Sequence, residues 1–329
     1  MEKIARRHRT YPLVIAGLLL CVAGVFWPRE EVPRLFTLAI NIWPGVEGLL
    51  LSPGVEQERD PHVNYVEMSW SSAAMGLFHR RVVDAIVVTP DELLRLGDEG
   101  ARPRALAVLG VSHGSDAVLA RPGIKTMEQL RGRRIGVEQR SAAEYLLVHA
   151  LAAHDMVLSD VMVVPLNIAE TEEAYDDRDV DAVVAADPWR VRLQDKGAVT
   201  LYDSRDMGLE MCRLLVTEER SMQTYANELR GIIADHFHYV SKLRDLEPAN
   251  GLGAILRREG LDVGQWHRVL EAIQFPVAEE QSRLLGSGKD GLEECLERIQ
   301  RNMLQAGLLK HSVDVRALLI PEFSGGRAQ

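Results

Sequence analysis

The feature that most constrains this chain is a doubled alternation of short apolar runs and helical patterns. From Arg34 onward, "LFTLAIN" (35–41), "VNYVEM" (63–68), "VDAIVVT" (83–89) and "ALAVLGV" (105–111) read as strands. Between them "PGVEGLLL", "SSAAMGLFHR" and "PDELLRLG" read as helices, the last stopping at Gly97. After a link, "AVLARPGIKTMEQLRG", the alternation restarts. "RRIGVE", "VMVVPL", "VDAVVAA" and "AVTLY" are its strands, and "SAAEYLLVHALAAHDM", "AETEEAYDD" and "DPWRVRLQDKG" its helices. "VDAIVVT" and "VDAVVAA" hold equivalent places in the two series. Strands separated by helices of this length need crossover connections, so each series predicts an α/β unit with a mostly parallel sheet.

A length of 329 residues suits two such lobes. From Glu218 to about Leu309 the pattern turns helical, broken at Pro248, Gly260, Pro276 and "GSGKDG", with no further strand series. This predicts a helical extension packed on one lobe. Hydrophobic residues make up 47% and charged residues 26%, a balance that folds. The net charge of -10 excludes a nucleic-acid partner, which needs a concentrated basic surface.

The basic cluster that does exist lies in the first ten residues. Three arginines and one lysine precede an apolar stretch from Tyr11 to Trp27, and Pro28 ends it. Residues 1–33 therefore read as a signal peptide or a signal anchor. Ala23 and Gly24 offer a cleavage site, whereas seventeen apolar residues sit at the short end of a bilayer span, so cleaved and anchored forms both stay open. Either way the charge asymmetry puts the rest of the chain outside the cytoplasm, periplasmic or held at the inner membrane. There Cys212 and Cys295 are the available pair, or two buried thiols.

The segments in order resemble the extracytoplasmic substrate-binding proteins of ABC transporters, in the NMT1/THI5-like branch of nitrate, sulfonate, taurine and thiamine-precursor binders. The resemblance runs from "AINIWPGVEGLLLS" through "VDAIVVTPDELLRL", "GIKTMEQLRGRRIGVEQRSAAEYLLVHAL", "LSDVMVVPL" and "VDAVVAADPW" to "LLKHSVDVRALLIPEF". It implies a type II periplasmic binding protein fold: two α/β lobes joined by a two-strand hinge, with a ligand between them. Lobe 1 would comprise 34–116 plus 204–329 and lobe 2 residues 117–203. It also implies a small-molecule ligand and ABC permease subunits as partners. Gly110 stands where the nearest subgroup carries an acidic residue, so ligand identity is not inherited.

Ligands of such folds bind at the carboxyl ends of the parallel strands. That rule, with the resemblance, selects Asn41, Trp43 and Pro44 after the first strand, Ser71 and Ser72 at a helix start, and Thr89 after "VDAIVV". Gly114 and Asp116 fall in the polar loop "SHGSDAV", Glu138 and Ser141 at the bend of "GVEQRS", and Asp187 and Trp189 after "VDAVVAA". Each has an ordinary alternative: Ser71, Ser72 and Asp187 as helix caps, and Ser141 with Glu144 as an S-x-x-E capping box. Glu47, Asp91, Asp116, Glu138 and Asp187 surround this set, and Arg140 is the nearest basic residue. With Trp43 and Trp189 as cation-attracting faces, the expected ligand is small, polar and nitrogen-containing, with a sulfonate, nitrate or similar oxyanion as the alternative. No P-loop, HExxH or paired CxxC occurs; "GVSHG" (110–114) fits G-x-S-x-G by letter, but it falls in the polar loop that leads into the crossover. His236 and His238, two apart on a helix, do not face one another. The expectation is a binder with no cofactor or metal rather than an enzyme, or alternatively a membrane-anchored ligand sensor of the same fold.

Overall fold

The computed structural model describes residues 34–50, 63–243 and 252–323, so the expected export segment at 1–33 lies outside the described residues. Among the described residues, no helix is long and apolar enough to cross a membrane. Phe36 onward forms one compact unit built on two sheets.

In the first sheet, β1 (Phe36–Asn41) pairs in parallel with β2 (Val63–Met68) and with β3 (Ala85–Val88). The helices between and after them are α1 (Ser71–His79) and α2 (Pro90–Asp98). β4 (Pro103–Ser112) then leaves this sheet and enters the second as β5 (Asp116–Ala120). The second sheet continues with β6 (Arg134–Val137), α3 (Ala142–Ala152), β7 (Met162–Pro165), α4 (Thr171–Asp176), β8 (Ala182–Ala186), α5 (Trp189–Asp195) and β9 (Val199–Asp203). Residues 204–211 carry the chain back to β10 (Cys212–Glu218). The strand orders are β11-β4-β10-β3-β1-β2 and β7-β6-β8-β5-β9. Two chain crossings thus join two α/β lobes.

The sheets depart from the expected pattern in a way that matters for the site. β10 inserts antiparallel between β3 and β4, and β5 inserts antiparallel between β8 and β9. The "link" after residue 116 is therefore a strand before it becomes a loop. "CRLLVTE", unmarked in the strand series, is a central strand of its sheet. The C-terminal region is helical as expected, with α6 (Glu219–Thr224), α7 (Ala226–Lys242), α8 (Leu252–Glu259), α9 (Val263–Glu271), α10 (Gln281–Leu284) and α11 (Leu292–Gln305). It also adds a two-residue edge strand, β11 (Ile273–Gln274), against β4.

Period-two alternation explains why these strands read as unbroken apolar runs: both faces are covered. Phe36, Leu38 and Ile40 of β1 join the cluster formed with Leu229, Ile232 and Trp266 of the C-terminal helices. Ala39 joins the opposite cluster with Phe78, Leu93 and Leu296. That second cluster runs on through Val118, Ile135 and Leu146, so apolar packing is continuous between the lobes. Cys212 and Cys295 are free thiols buried within it, and burial pushes the Cys295 thiol up to about 12.

Trp43 sits at the end of β1 with 2% of its surface exposed. Its ring lies against two glycines: a Cβ on Gly45 would stand 1.9 Å from Cζ3, and one on Gly110 3.0 Å from it. Gly110 is thus explained by the ring it admits. Gly45→Ala has to displace that ring, and overpacking of this kind costs about 1–3 kcal/mol. Urea unfolding of this variant is expected to show a loss in that range; an unchanged midpoint contradicts the packing.

Candidate functional site

The carboxyl ends of β1, β2, β3 and β6 and the end of β8 converge on a cavity of about 50 Å³ between the two sheets. Asn41, Trp43, Ser71, Thr89, Asp116, Glu138 and Ser141 line it. So do Ser69, Glu92 and Arg213, with an apolar floor of Val184, Ala185 and Ala186.

Arg213 and Asp116 reach the cavity because their strands run backwards. A parallel strand delivers its last residue to this end, whereas an antiparallel strand delivers its first. Asp116 opens β5, opposite Ala186, and Arg213 is second in β10, opposite Gly110. They form a buried ion pair, Arg213 Nη2 donating to Asp116 Oδ1 at 2.9 Å. The guanidinium also stacks 4.6 Å over the Trp43 ring, and Trp43 Nε1 donates to Ser115 Oγ at 3.0 Å. Among the residues lining the cavity, three carry a buried polar atom without a partner: Arg213 Nη1, Asp116 Oδ2 and Asn41 Oδ1. The cavity therefore offers a ligand one strong donor and one strong acceptor.

Two glutamates cross between the lobes in opposite directions. Glu92 of α2 accepts Thr89 N–H at 3.0 Å, completing the capping box of its own helix, and reaches the N–H of Ala142 at the start of α3 at 3.4 Å. Glu138, just after β6, reaches the N–H of Ser72 in the first turn of α1 at 3.4 Å. Each lobe thus places a carboxylate on the exposed N–H groups and positive end of the other lobe's helix. Asn41 Nδ2 donates to Ser71 Oγ at 2.7 Å, tying β1 to the same helix start. Farther out, Arg95 bridges to Glu144 at 2.8 Å and Arg140 pairs with Glu99.

Several expected residues lie outside the cavity lining. Pro44 opens a buried 3-10 turn behind Trp43. The Ser72 contribution is its N–H, not its hydroxyl. Gly114, at φ 104°, donates its N–H to Ser204 Oγ in the crossing loop. Asp187 is fully buried and pairs with Arg190 at 2.8 Å. Trp189 packs into the apolar cluster of the second lobe. The Trp faces expected to attract a ligand cation are taken by the protein's own arginines, Arg213 on Trp43 and Arg192, 5.5 Å from the Trp189 centroid. Arg140 is not the nearest base; Arg213 is. Trp70, just before α1, is 43% exposed. The capping box is also revised: Ser141 Oγ accepts Ala143 N–H, but Glu144 takes the N–H of Arg140. Among the described residues no group of three or more His, Cys, Asp or Glu side chains is arranged to hold a metal.

Residues 77–234 match the family described as NMT1/THI5 like. Over 68 residues the chain is 35% identical to proteins named as binding proteins from Brucella abortus and Brucella suis, a segment spanning 21% of this chain and 21% of each relative. The fold is shared far more widely. The alkanesulfonate-binding protein SsuA of Xanthomonas axonopodis pv. citri, bound to MOPS, superposes with a TM-score of 0.72 at 18% identity, covering 88% of this chain and 98% of that one. The periplasmic nitrate-binding protein NrtA of Synechocystis PCC 6803 gives 0.68 at 10% identity, covering 89% and 88%. The desulfurization enzyme DSZB gives 0.60 at 18%, covering 88% and 98%, so the same fold also carries catalysis.

The electrostatics of the pair has a measurable consequence. Burial, reinforced by Asp91 for Glu92 and by Glu92 for Glu138, raises both carboxyls from the ordinary 4.5 to about 7. Between these values the folded chain holds more protons than the unfolded one, so stability falls as pH rises through that window. Glu92→Gln with Glu138→Gln is expected to flatten that decline relative to the wild type in urea unfolding from about pH 5 to about pH 8. Parallel pH profiles for the two proteins contradict the assignment.

Proposed function

We propose, from the premise that residues 77–234 are an NMT1/THI5-like domain on a periplasmic binding protein fold, that this protein captures a small polar solute in the cavity between its lobes. On this reading it is the extracytoplasmic solute-binding component of an ABC-type importer, closing about its ligand by hinge motion at the two crossings and delivering it to permease subunits. The observation that carries the reading is the cavity itself. It is enclosed by both lobes and holds a buried donor, Arg213 Nη1, and a buried acceptor, Asp116 Oδ2, that the protein leaves unmatched. Unmatched buried polar atoms cost stability, and a ligand that matches them recovers it.

Capture is favoured over turnover by the composition of the lining. No histidine, cysteine or lysine is among the residues lining the cavity, and its two glutamates, Glu92 and Glu138, are engaged with backbone N–H groups. The acidic balance favours a nitrogen-containing ligand. The sulfonate- and nitrate-binding neighbours support the oxyanion alternative, for which Arg213 is the natural partner.

Thermal-shift screening of the purified protein against amines, nitrogen heterocycles, amino acids, sulfonates and nitrate tests this. A member of the nitrogen-containing set is expected to raise the midpoint with the logarithmic concentration dependence of single-site binding. Asp116→Asn is expected to weaken that ligand by about tenfold or more. A protein that no solute stabilises is not a solute-binding protein, and stabilisation by oxyanions alone selects the alternative ligand.

A further inference from the structure

Helix N-termini are ready-made anion sites, and the cavity lies beside the starts of α1, α2 and α3. In this chain those sites are already filled. Glu138 occupies the Ser72 N–H of α1, and Glu92 occupies both the Thr89 N–H of α2 and the Ala142 N–H of α3. An incoming sulfonate or nitrate would have to expel a tethered carboxylate and would face the other at close range. The remaining cation, Arg213, is already paired with Asp116 and stacked on Trp43. Resting on the solute-binding reading above, we infer that Glu92 and Glu138 are the specificity-determining residues of the cavity, excluding oxyanions and admitting a small protonated amine group.

The geometry accounts for both halves of the inference. Exclusion follows because each N–H that would serve an oxyanion has an internal carboxyl at hydrogen-bond distance, anionic above about pH 7. Admission follows because those carboxylates keep further acceptor capacity, and Asp116 Oδ2, buried and unpartnered, adds a third acceptor on the same cavity. An ammonium group carries its donors in all directions and fits a space of about 50 Å³. Arg213 Nη1 is left to receive an acceptor atom elsewhere on the same ligand.

The charged surroundings set the sign of the pH dependence. Asp91 and Arg95 lie on α2 with Glu92, Arg213 approaches from β10 and Asp116 from β5. On the α3 side Glu144 and Arg140 are turned towards Arg95 and Glu99. With both glutamates holding protons up to about pH 7, a cation binds the deprotonated forms, so its affinity rises with pH. An oxyanion binds the protonated forms, so its affinity falls.

Methylammonium and methanesulfonate, small probes of opposite charge, separate the cases by calorimetry and thermal shift on the full chain, the isosteric double variant controlling for their difference in size. Wild type is expected to bind methylammonium more tightly at about pH 8 than at about pH 5.5 and to ignore methanesulfonate at about pH 8. Glu92→Gln with Glu138→Gln, isosteric and still able to accept the same N–H groups, is expected to weaken methylammonium at least about tenfold and to gain methanesulfonate binding. Glu138→Gln alone, changing the less buried of the two, is expected to shift both in the same directions by less. Wild-type binding of methanesulfonate at about pH 8, methylammonium affinity that falls with pH, unchanged preference in the double variant, or binding of neither probe by wild type each overturns the inference. In those cases a solute found by the wider screen still sustains the solute-binding reading, and only an empty screen removes it.

Discussion

The buried ion pair between Arg213 and Asp116 is the interaction on which the rest of the structure depends. It joins the second residue of a central strand in one sheet to the first residue of a strand in the other, so it fixes how the two sheets face each other. Burying two charges is costly, and removing one partner of such a pair typically destabilises by about 3–5 kcal/mol because the other is left uncompensated. The surroundings meet part of that cost. The Trp43 ring lies under the guanidinium, and two glycines make room for the ring. One buried charge near the start of a largely apolar strand is thereby matched by an aromatic, two glycines and an acid far away in sequence.

Around this pair the two lobes interlock through their helix starts. Each contributes a carboxylate to the other's first turn, an arrangement that uses the same dipole and N–H groups that oxyanion sites use. On the inference drawn above, that arrangement favours cations within a fold that a sulfonate-binding and a nitrate-binding protein share. Fold is common to these proteins, and ligand choice is set by the site and not by the fold.

Much of the fold was legible because burial on both sheet faces leaves long apolar runs separated by amphipathic helices. "VDAIVVT" and "VDAVVAA" marked β3 and β8 correctly, and strand ends pointed to Asn41, Trp43, Thr89 and Glu138 at the cavity. What stayed hidden was the direction of two strands. "DAVLA" and "CRLLVTE" are apolar runs like the others, but nothing local says that they run antiparallel. Arg213 was missed for that reason, since the rule applied was to look at strand ends and not at strand beginnings. The signal that marked it was a lone arginine inside an apolar run, a charge that burial tolerates only with a partner. Glu92 stands in the sequence as an ordinary helix-start acid, which it is; its reach to Ala142 of the other lobe depends on tertiary placement alone.

The central claim is that the cavity carries excess negative charge held in check by protons, so that binding a ligand means exchanging protons for positive charge. Calorimetry of the bound solute at about pH 7 in buffers of different ionisation enthalpy measures that exchange directly, whatever the solute proves to be. Net release of protons on binding is the result this account predicts, and net uptake would contradict it.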